Sequence, residues 1–198
     1  MEYNLEIDGN QKLWFISDLH FNHRKLTQLD ENKFEIARPF NTIEEMNNTI
    51  FSNWQNTVKP EDIVIFAGDL IMNTPMSKIV EEVNKWFFPL NGFKIWLKGN
   101  HDGMIIKNLI KRNFSFNDIS LHRNYLYFKY KNKDIFIQHY EYQNFDEYSK
   151  KLDIEKTLFV HGHTHSNEKV SYIGNRKLHN VCFEARINPV SFEELIKE

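Results

Sequence analysis

Short apolar runs punctuate an otherwise polar chain. Lys12 to Ser17 carries Leu13-Trp14-Phe15-Ile16, Asp62 to Ala67 carries Ile63-Val64-Ile65-Phe66, and Phe93 to Lys98 repeats the theme. Runs this brief and this rich in β-branched and aromatic residues predict buried strands. Between them the apolar period lengthens to three and four. Ile43, Met46, Ile50 and Trp54 mark one face of a helix that Thr42 caps, with Glu45 three positions on. Met76 to Phe87 predicts a second helix through Ile79, Val83 and Trp86-Phe87, stopped by Pro89, and Met104 to Lys111 a third.

The pattern then changes. Tyr125 to Tyr130 and Asp134 to His139 predict a hairpin joined by Lys131-Asn132-Lys133, and Leu158 to His161 a further strand. Val170 to Ile173 and Lys177 to Phe183 predict a second hairpin around Gly174-Asn175, a dipeptide that tolerates positive φ; on this reading His122 and His179 sit in hairpin strands. Ser191-Phe192-Glu193-Glu194 has the form of a capping box opening a terminal helix. Strand–helix alternation followed by hairpins, with no linker or repeat, predicts one domain over 1–198. Its class is α/β, with a mixed sheet or two sheets covered by helices.

The ends of the apolar runs carry the chemistry. Asp18-Leu19-His20, Gly68-Asp69, Gly99-Asn100-His101-Asp102, His139 and Gly162-His163-Thr164-His165 each close one of five predicted strands. Of seven glycines in the chain, Gly68, Gly99, Gly103 and Gly162 lie inside these clusters, where a Cβ would obstruct a tight turn or a substrate. Strand C-terminal ends are where open α/β folds place ligands. Residues two apart on an extended segment point the same way, so Asp18 with His20, and His163 with His165, can each converge on one point. Carboxylate, imidazole and amide oxygen together suit a divalent ion such as Mn, Fe or Zn, whereas calcium prefers more oxygens and structural zinc prefers thiolates. The candidate ligands are Asp18, His20, Asp69, Asn100, His139, His163 and His165. Seven exceed one ion's needs and fit two ions sharing a carboxylate.

Composition narrows the function classes. The 198 residues carry a net charge of −2, with no run long enough to span a membrane. Near-neutral charge leaves nucleic acid possible but disfavoured as a partner, since phosphate contacts require a basic excess. Lys129 to Lys133, with its interleaved aromatic, is expected to be a solvated hairpin tip. Met1 to Asn10 holds Glu2, Glu6 and Asp8 and lacks a basic or apolar leader, and Cys182 is the only cysteine. Both features point to a reducing, cytoplasmic setting.

These motifs resemble the calcineurin-like metallophosphoesterase superfamily from Phe15 to about Phe183. They are most similar to its small uncapped bacterial and phage-type members, through Ser17-Asp18-Leu19-His20-Phe21-x-His23, Arg38-Pro39-Phe40 and Pro189-Val190-Ser191. The resemblance implies a four-layer α/β/β/α sandwich, two mixed β-sheets flanked by helices. It implies that Asp18, His20 and His165 hold one metal, that Asn100, His139 and His163 hold the second, and that Asp69 bridges. It makes His101 the catalytic histidine and Asp102 the acid that orients it. One departure is Tyr140-Glu141 after His139, where many relatives have Gly or a short Pro turn.

The implied chemistry is hydrolysis of a phosphomonoester or phosphodiester by a metal-bridging hydroxide. The cofactor is a pair of divalent ions, Mn first, with Fe, Zn, Ni or Co as alternatives, and the substrate is small and nucleotide-like or cyclic. A nuclease of the same superfamily is the alternative enzyme, and a non-catalytic scaffold on the same fold is the alternative from another class. The complete ligand set argues against the scaffold, because unpaired polar groups converging without metal are destabilising. His23 and Arg38 are candidate substrate contacts, the second through a guanidinium able to take phosphate oxygens bidentately. Arg24 is read as a surface ion pair and His161 as a core or supporting histidine. The specificity elements are expected in Phe21 to Asn41 and in the loops after Asp69 and His139.

Overall fold

The computed structural model describes residues 7, 10–122, 124–141 and 149–198. Glu2, Glu6 and Asp8, on which the expected lack of a leader rests, lie outside these residues, as do residues 142–148, part of the segment after His139 expected to set specificity. Two five-stranded sheets face each other. The first has strands β1 (Leu13–Ile16), β2 (Ile63–Phe66), β3 (Phe93–Leu97), β4 (Ile119–His122) and β10 (Val190–Ser191), in the order β10-β1-β2-β3-β4. The second has β5 (Tyr125–Tyr130), β6 (Lys133–Gln138), β7 (Thr157–His161), β8 (Val170–Ile173) and β9 (Arg176–Asn180), in the order β5-β6-β7-β9-β8. Both sheets are mixed. β1 to β4 run parallel with β10 antiparallel to β1, while β6, β7 and β9 run parallel between antiparallel edges.

The continuous apolar runs make sense once both faces are filled. Alternation sends Leu13, Phe15, Ile63, Ile65, Ile95 and Leu97 toward the second sheet, where they meet Ile135, Ile137, Leu158 and Val160. It sends Trp14, Ile16, Val64, Phe66 and Trp96 the other way, under α1 (Ile43–Thr57), α2 (Ile79–Trp86) and α3 (Asp102–Lys111). The outer face of the second sheet buries Tyr127, Phe136, Phe159 and Leu178, with Leu152 packed against them beside a 3-10 turn at Ser149–Lys151. The class is therefore α/β, two mixed sheets with flanking helices.

Local signals account for most boundaries. Thr42 accepts the Glu45 amide at 3.0 Å, while the Glu45 carboxylate reaches back to the Asn41 amide at 2.8 Å, one residue further than a capping box requires. The terminal helix α5 (Phe192–Leu195) has the full reciprocal box between Ser191 and Glu194. Three expectations are corrected. α2 starts at Ile79, because Pro75 to Lys78 is consumed in a turn. β4 was not predicted, and His122 on it lies parallel to Leu97 of β3 rather than in a hairpin; Ile119 is the one fully buried residue of this edge strand, so no apolar run announces it. The strand expected to reach Phe183 stops at Asn180, and Phe183–Arg186 forms the short helix α4. Among the described residues no helix is long and apolar enough to cross a membrane.

Candidate metal centre

The centre sits where the C-terminal ends of both sheets meet. Ser17, just beyond β1, bridges Cys182, just beyond β9, and its amide donates to the Val181 carbonyl at 2.8 Å. That stitch between sheets carries Asp18 and His20 toward the loop after β7. Two donor groups result, Asp18 with His20 and His165, and Asp69 with His139 and His163, each within 4.8 Å.

In the first group His20 Nε2 and His165 Nε2 lie 3.1 Å apart, with Asp18 Oδ1 3.8 and 3.6 Å from them. Asp18 Oδ2 accepts the His163 amide at 2.9 Å and the Cys182 thiol at 3.2 Å, whereas Oδ1 is buried without a hydrogen-bond partner. A buried carboxylate oxygen without a hydrogen-bond partner, beside two ring nitrogens, is a donor set that fits a divalent ion. In the second group His139 Nδ1 donates to the Ala67 carbonyl at 2.7 Å, which turns Nε2 inward, 2.8 Å from Asn100 Oδ1. Asp69 belongs to both. Its Oδ1 accepts the His101 amide at 2.9 Å, leaving Oδ2 3.7 Å from His20 Nε2 and 3.4 Å from His139 Nε2.

The electrostatics match groups awaiting a cation. Burial pushes His139 down, but the Asp69 and Asp18 carboxylates and the Ala67 carbonyl outweigh it and raise the ring to about 9. Burial dominates at His20, which falls well below the usual histidine range, with His165 and Arg38 adding to the fall. Burial also opposes ionisation of Asp69, yet the His139 and His101 contacts leave its carboxyl below the ordinary value. His139, and His165 through Glu184, are the rings whose protonated form these carboxylates favour.

Convergence is reached by a route the spacing argument did not foresee. Asp18, His20, Asp69, His163 and His165 have φ of 56°, 48°, 61°, 71° and 49°, so they occupy left-handed turns rather than extended strand ends. Non-glycine residues held there cost about 1–2 kcal/mol each and concentrate at functional sites. His163 and His165 accordingly do not converge on one point: His165 joins Asp18 and His163 joins Asp69. Close approach explains two glycines. A Cβ on Gly99 would sit 2.1 Å from Asp69 Oδ1, and one on Gly162 would sit 2.6 Å from Asp18 Oδ2.

Three side chains brace the two donor groups from behind. Glu184 accepts from His165 Nδ1 at 2.9 Å and pairs with Arg38 at 2.8 Å. Burial raises its carboxyl, but Arg38 and His165 prevail and bring it to about 2. Glu184 was not singled out from sequence; its position two residues past Cys182, in a segment read as a strand end, hid it. Arg38 is corrected. Only 3% exposed, it donates to the Asp18 and Leu19 carbonyls at 2.6 and 2.7 Å and lies 4.4 Å from the Phe183 ring, so its guanidinium braces the first ligand loop and is closed to substrate.

Asp102 is corrected too. It is fully buried and accepts the amides of Asp69, Leu70 and Gly99 and the Trp96 indole, all at 2.8–3.0 Å. Three of those donors share Oδ2 and one bonds Oδ1, and no hydrogen bond links the Asp102 carboxylate to the His101 ring among the described residues. Burial first, then the Asp69 charge, raise its carboxyl, and the donated hydrogen bonds limit the rise. Asp102 ties the loop after β2 to the loop after β3, which fixes Asp69 relative to Asn100.

His101 stands at the mouth, 43% exposed at its side chain, with Nε2 3.9 Å from Asp69 Oδ2 and its ring 5.6 Å from that of His20. His23 lies 5.2 Å from the His20 ring and 5.6 Å from that of Phe34. Burial, then Arg38, lower it to about 4, so it is neutral at pH 7. A cavity of about 530 Å³ opens over the donors and runs between His23, His101, Phe34 and Met72. His161 is buried beneath, its Nδ1 donating to the Gly162 carbonyl at 2.9 Å, as expected of a supporting histidine. Arg24 pairs at the surface with Asp30, 3.4 Å away.

The family model for calcineurin-like phosphoesterases matches residues 11–198. An uncharacterized protein of Methanocaldococcus jannaschii is 32% identical over 191 residues, covering 94% of this chain and 90% of its own length. The Gene 66 protein of Mycobacterium phage L5 is 31% identical over 90 residues, covering 46% of this chain and 39% of its own. A crystal structure of a protein of unknown function from Aquifex aeolicus superposes with a TM-score of 0.64 at 25% identity, covering 95% of this chain and 99% of that one.

Proposed function

The chain belongs to the calcineurin-like phosphoesterase family, and from that premise we propose that it is a metal-dependent hydrolase of phosphoester bonds in small, nucleotide-like substrates. The observation that carries the reading is Asp69 Oδ2, a single carboxylate oxygen 3.7 Å from His20 Nε2 and 3.4 Å from His139 Nε2. One oxygen facing both donor groups suits a pair of ions better than two independent sites.

Asp18, His20 and His165 would hold one ion, Asn100, His139 and His163 the other, and Asp69 both. The mix of imidazole, carboxylate and amide favours manganese or a similar divalent metal. Such a pair supplies, when bound, the Lewis acidity that activates water and offsets phosphate charge. The remaining work falls to side chains. In the net reaction the oxygen of water bonds to phosphorus and the bond from phosphorus to the leaving oxygen breaks. One water proton ends on that leaving oxygen. His101, exposed at the cavity mouth and held by its own amide to Asp69 Oδ1, is placed to deliver it. His23, neutral and facing the cavity, can bond to the ester group without adding charge. Arg38, Glu184 and Asp102 keep the ligands aimed.

Hydrolysis assays with manganese over phosphomonoesters, phosphodiesters, cyclic nucleotides and single-stranded DNA test the proposal. Metal-dependent turnover of a nucleotide ester that stops when Asp69 becomes Asn is expected. Protein with both ions bound and no turnover in any class would overturn it.

A further inference from the structure

Resting on the phosphoesterase reading above, we infer that Phe34 is the stacking platform for the nucleobase of the substrate, and that the 24–38 strap makes this site selective for nucleoside esters. The cavity over the donors has one wall made by Leu26, Phe34, Ile36 and Met72. Phe34 and Ile36 are 43% and 42% exposed, which is unusual for large apolar side chains beside a cluster of charged ligands. They are not loosely held. The Phe34 amide donates to the Lys25 carbonyl at 3.0 Å, the Ala37 amide to the Phe34 carbonyl at 2.9 Å, and the Arg38 amide to the Leu26 carbonyl at 2.7 Å.

Arg38 in turn grips the Asp18 and Leu19 carbonyls, so the apolar wall and the first ligand loop are one construction. A phosphate seated on the donors would send its ester group along this wall. At about 530 Å³ the space lies within the ~300–1,000 Å³ typical of small-molecule sites.

The wall's chemistry separates the possible ester groups. A ribose phosphate offers only a small, puckered C–H face, which covers Phe34 less fully than a planar base. An acyl chain has no use for the polar groups beside it: His23, only 7% exposed, keeps Nδ1 without a partner, and Glu35 lines the same cavity. A nucleoside uses all three, with the base on Phe34, a ring or ribose heteroatom on His23, and an exocyclic amine toward Glu35. The Lys25 ammonium lies over one face of the Phe34 ring, 5.8 Å from its centre, so the base would stack on the other face.

The test compares adenosine 5′-methyl phosphate, ribose 5-methyl phosphate and octyl methyl phosphate on the manganese-loaded protein. Binding is read by calorimetry and hydrolysis by phosphorus NMR, for wild type, Phe34→Ala and Phe34→Trp. Base stacking on an aromatic predicts a loss of roughly 5- to 100-fold in affinity for the adenosine ester in Phe34→Ala. The ribose ester should be unaffected and Phe34→Trp should bind the adenosine ester as wild type does. Equal binding of all three esters, preference for the octyl ester, or a Phe34→Ala loss shared equally by adenosine and ribose esters would overturn the inference. If adenosine binding depends on Phe34 but neither these diesters nor the monoesters and cyclic nucleotides of the assay above are hydrolysed, the platform stands and the phosphoesterase reading fails.

Discussion

Replacing Glu184 with Gln should unmask how much of the centre depends on a side chain that touches no substrate. The carboxylate is nearly buried, 4% exposed, between Arg38 at 2.8 Å and His165 Nδ1 at 2.9 Å. Its folded value of about 2 against an ordinary 4.5 corresponds to about 3 kcal/mol at ~1.4 kcal/mol per pH unit. That agrees with the ~3–5 kcal/mol lost when one partner of a buried pair is removed. Because the folded value is depressed, this stability is complete above pH 4.5 and disappears as pH falls through 2.

Gln keeps the volume and one acceptor, so the expected loss in metal-free protein at pH 7 is about 2–3 kcal/mol. The gap between variant and wild type should shrink by about 2 kcal/mol on going to pH 3, leaving at most about 1 kcal/mol, since about 1.5 of the 2.5 pH units of linkage are lost by then. Urea denaturation followed by circular dichroism at both pH values reads the first effect. Calorimetric titration with manganese reads the second, a weakening of roughly 10–100-fold typical of a lost partner behind a ligating histidine. A Gln variant as stable as wild type at pH 7, with unchanged metal affinity, would refute the reasoning.

Three further outcomes are expected. His101→Ala should retain its metal by elemental analysis while turnover falls roughly 10²–10⁴-fold, with a smaller loss for a nitrophenolate leaving group than for an alkoxide, because the first needs no proton. Gly99→Ala places a Cβ 2.1 Å from Asp69 Oδ1 and 2.5 Å from its amide, so the loop must shift; a loss of about 2 kcal/mol in denaturation and weaker binding at both donor groups are expected. Ile187→Gly should raise stability by about 0.5–1 kcal/mol, since a β-branched residue at φ 63° and ψ −40° gives way to one without a Cβ penalty there and its side chain is 54% exposed; an unchanged melting temperature would count against that strain.

Much of the centre was legible because ligands and glycines cluster at the ends of apolar runs, and those runs are continuous only where strands are covered on both faces. Ile63-Val64-Ile65-Phe66 serves both cores at once, which is why it could be read without alternation. The ligand positions followed, but not their backbone: left-handed turns at Asp18, His20, His163 and His165 leave no periodic trace. β4 escaped because an edge strand with half-buried Ser120, Leu121 and His122 lacks an apolar run. The roles of Arg38, Glu184 and Asp102 escaped for another reason. A charged residue reads the same in sequence whether it meets substrate or backbone carbonyls across 20 residues, as Arg38 does with Asp18. Only the fold shows which charges are already satisfied.

The most direct test of the two-ion centre is a count of ions in crystals of manganese-loaded protein by anomalous scattering, made on wild type, His20→Ala and Asp69→Asn. The account predicts two peaks in wild type, one beside the Asp18 group and one beside the Asp69–His139 group. It predicts loss of the first alone in His20→Ala and weakening of both in Asp69→Asn. A single peak in wild type, or two undiminished peaks in Asp69→Asn, would contradict it.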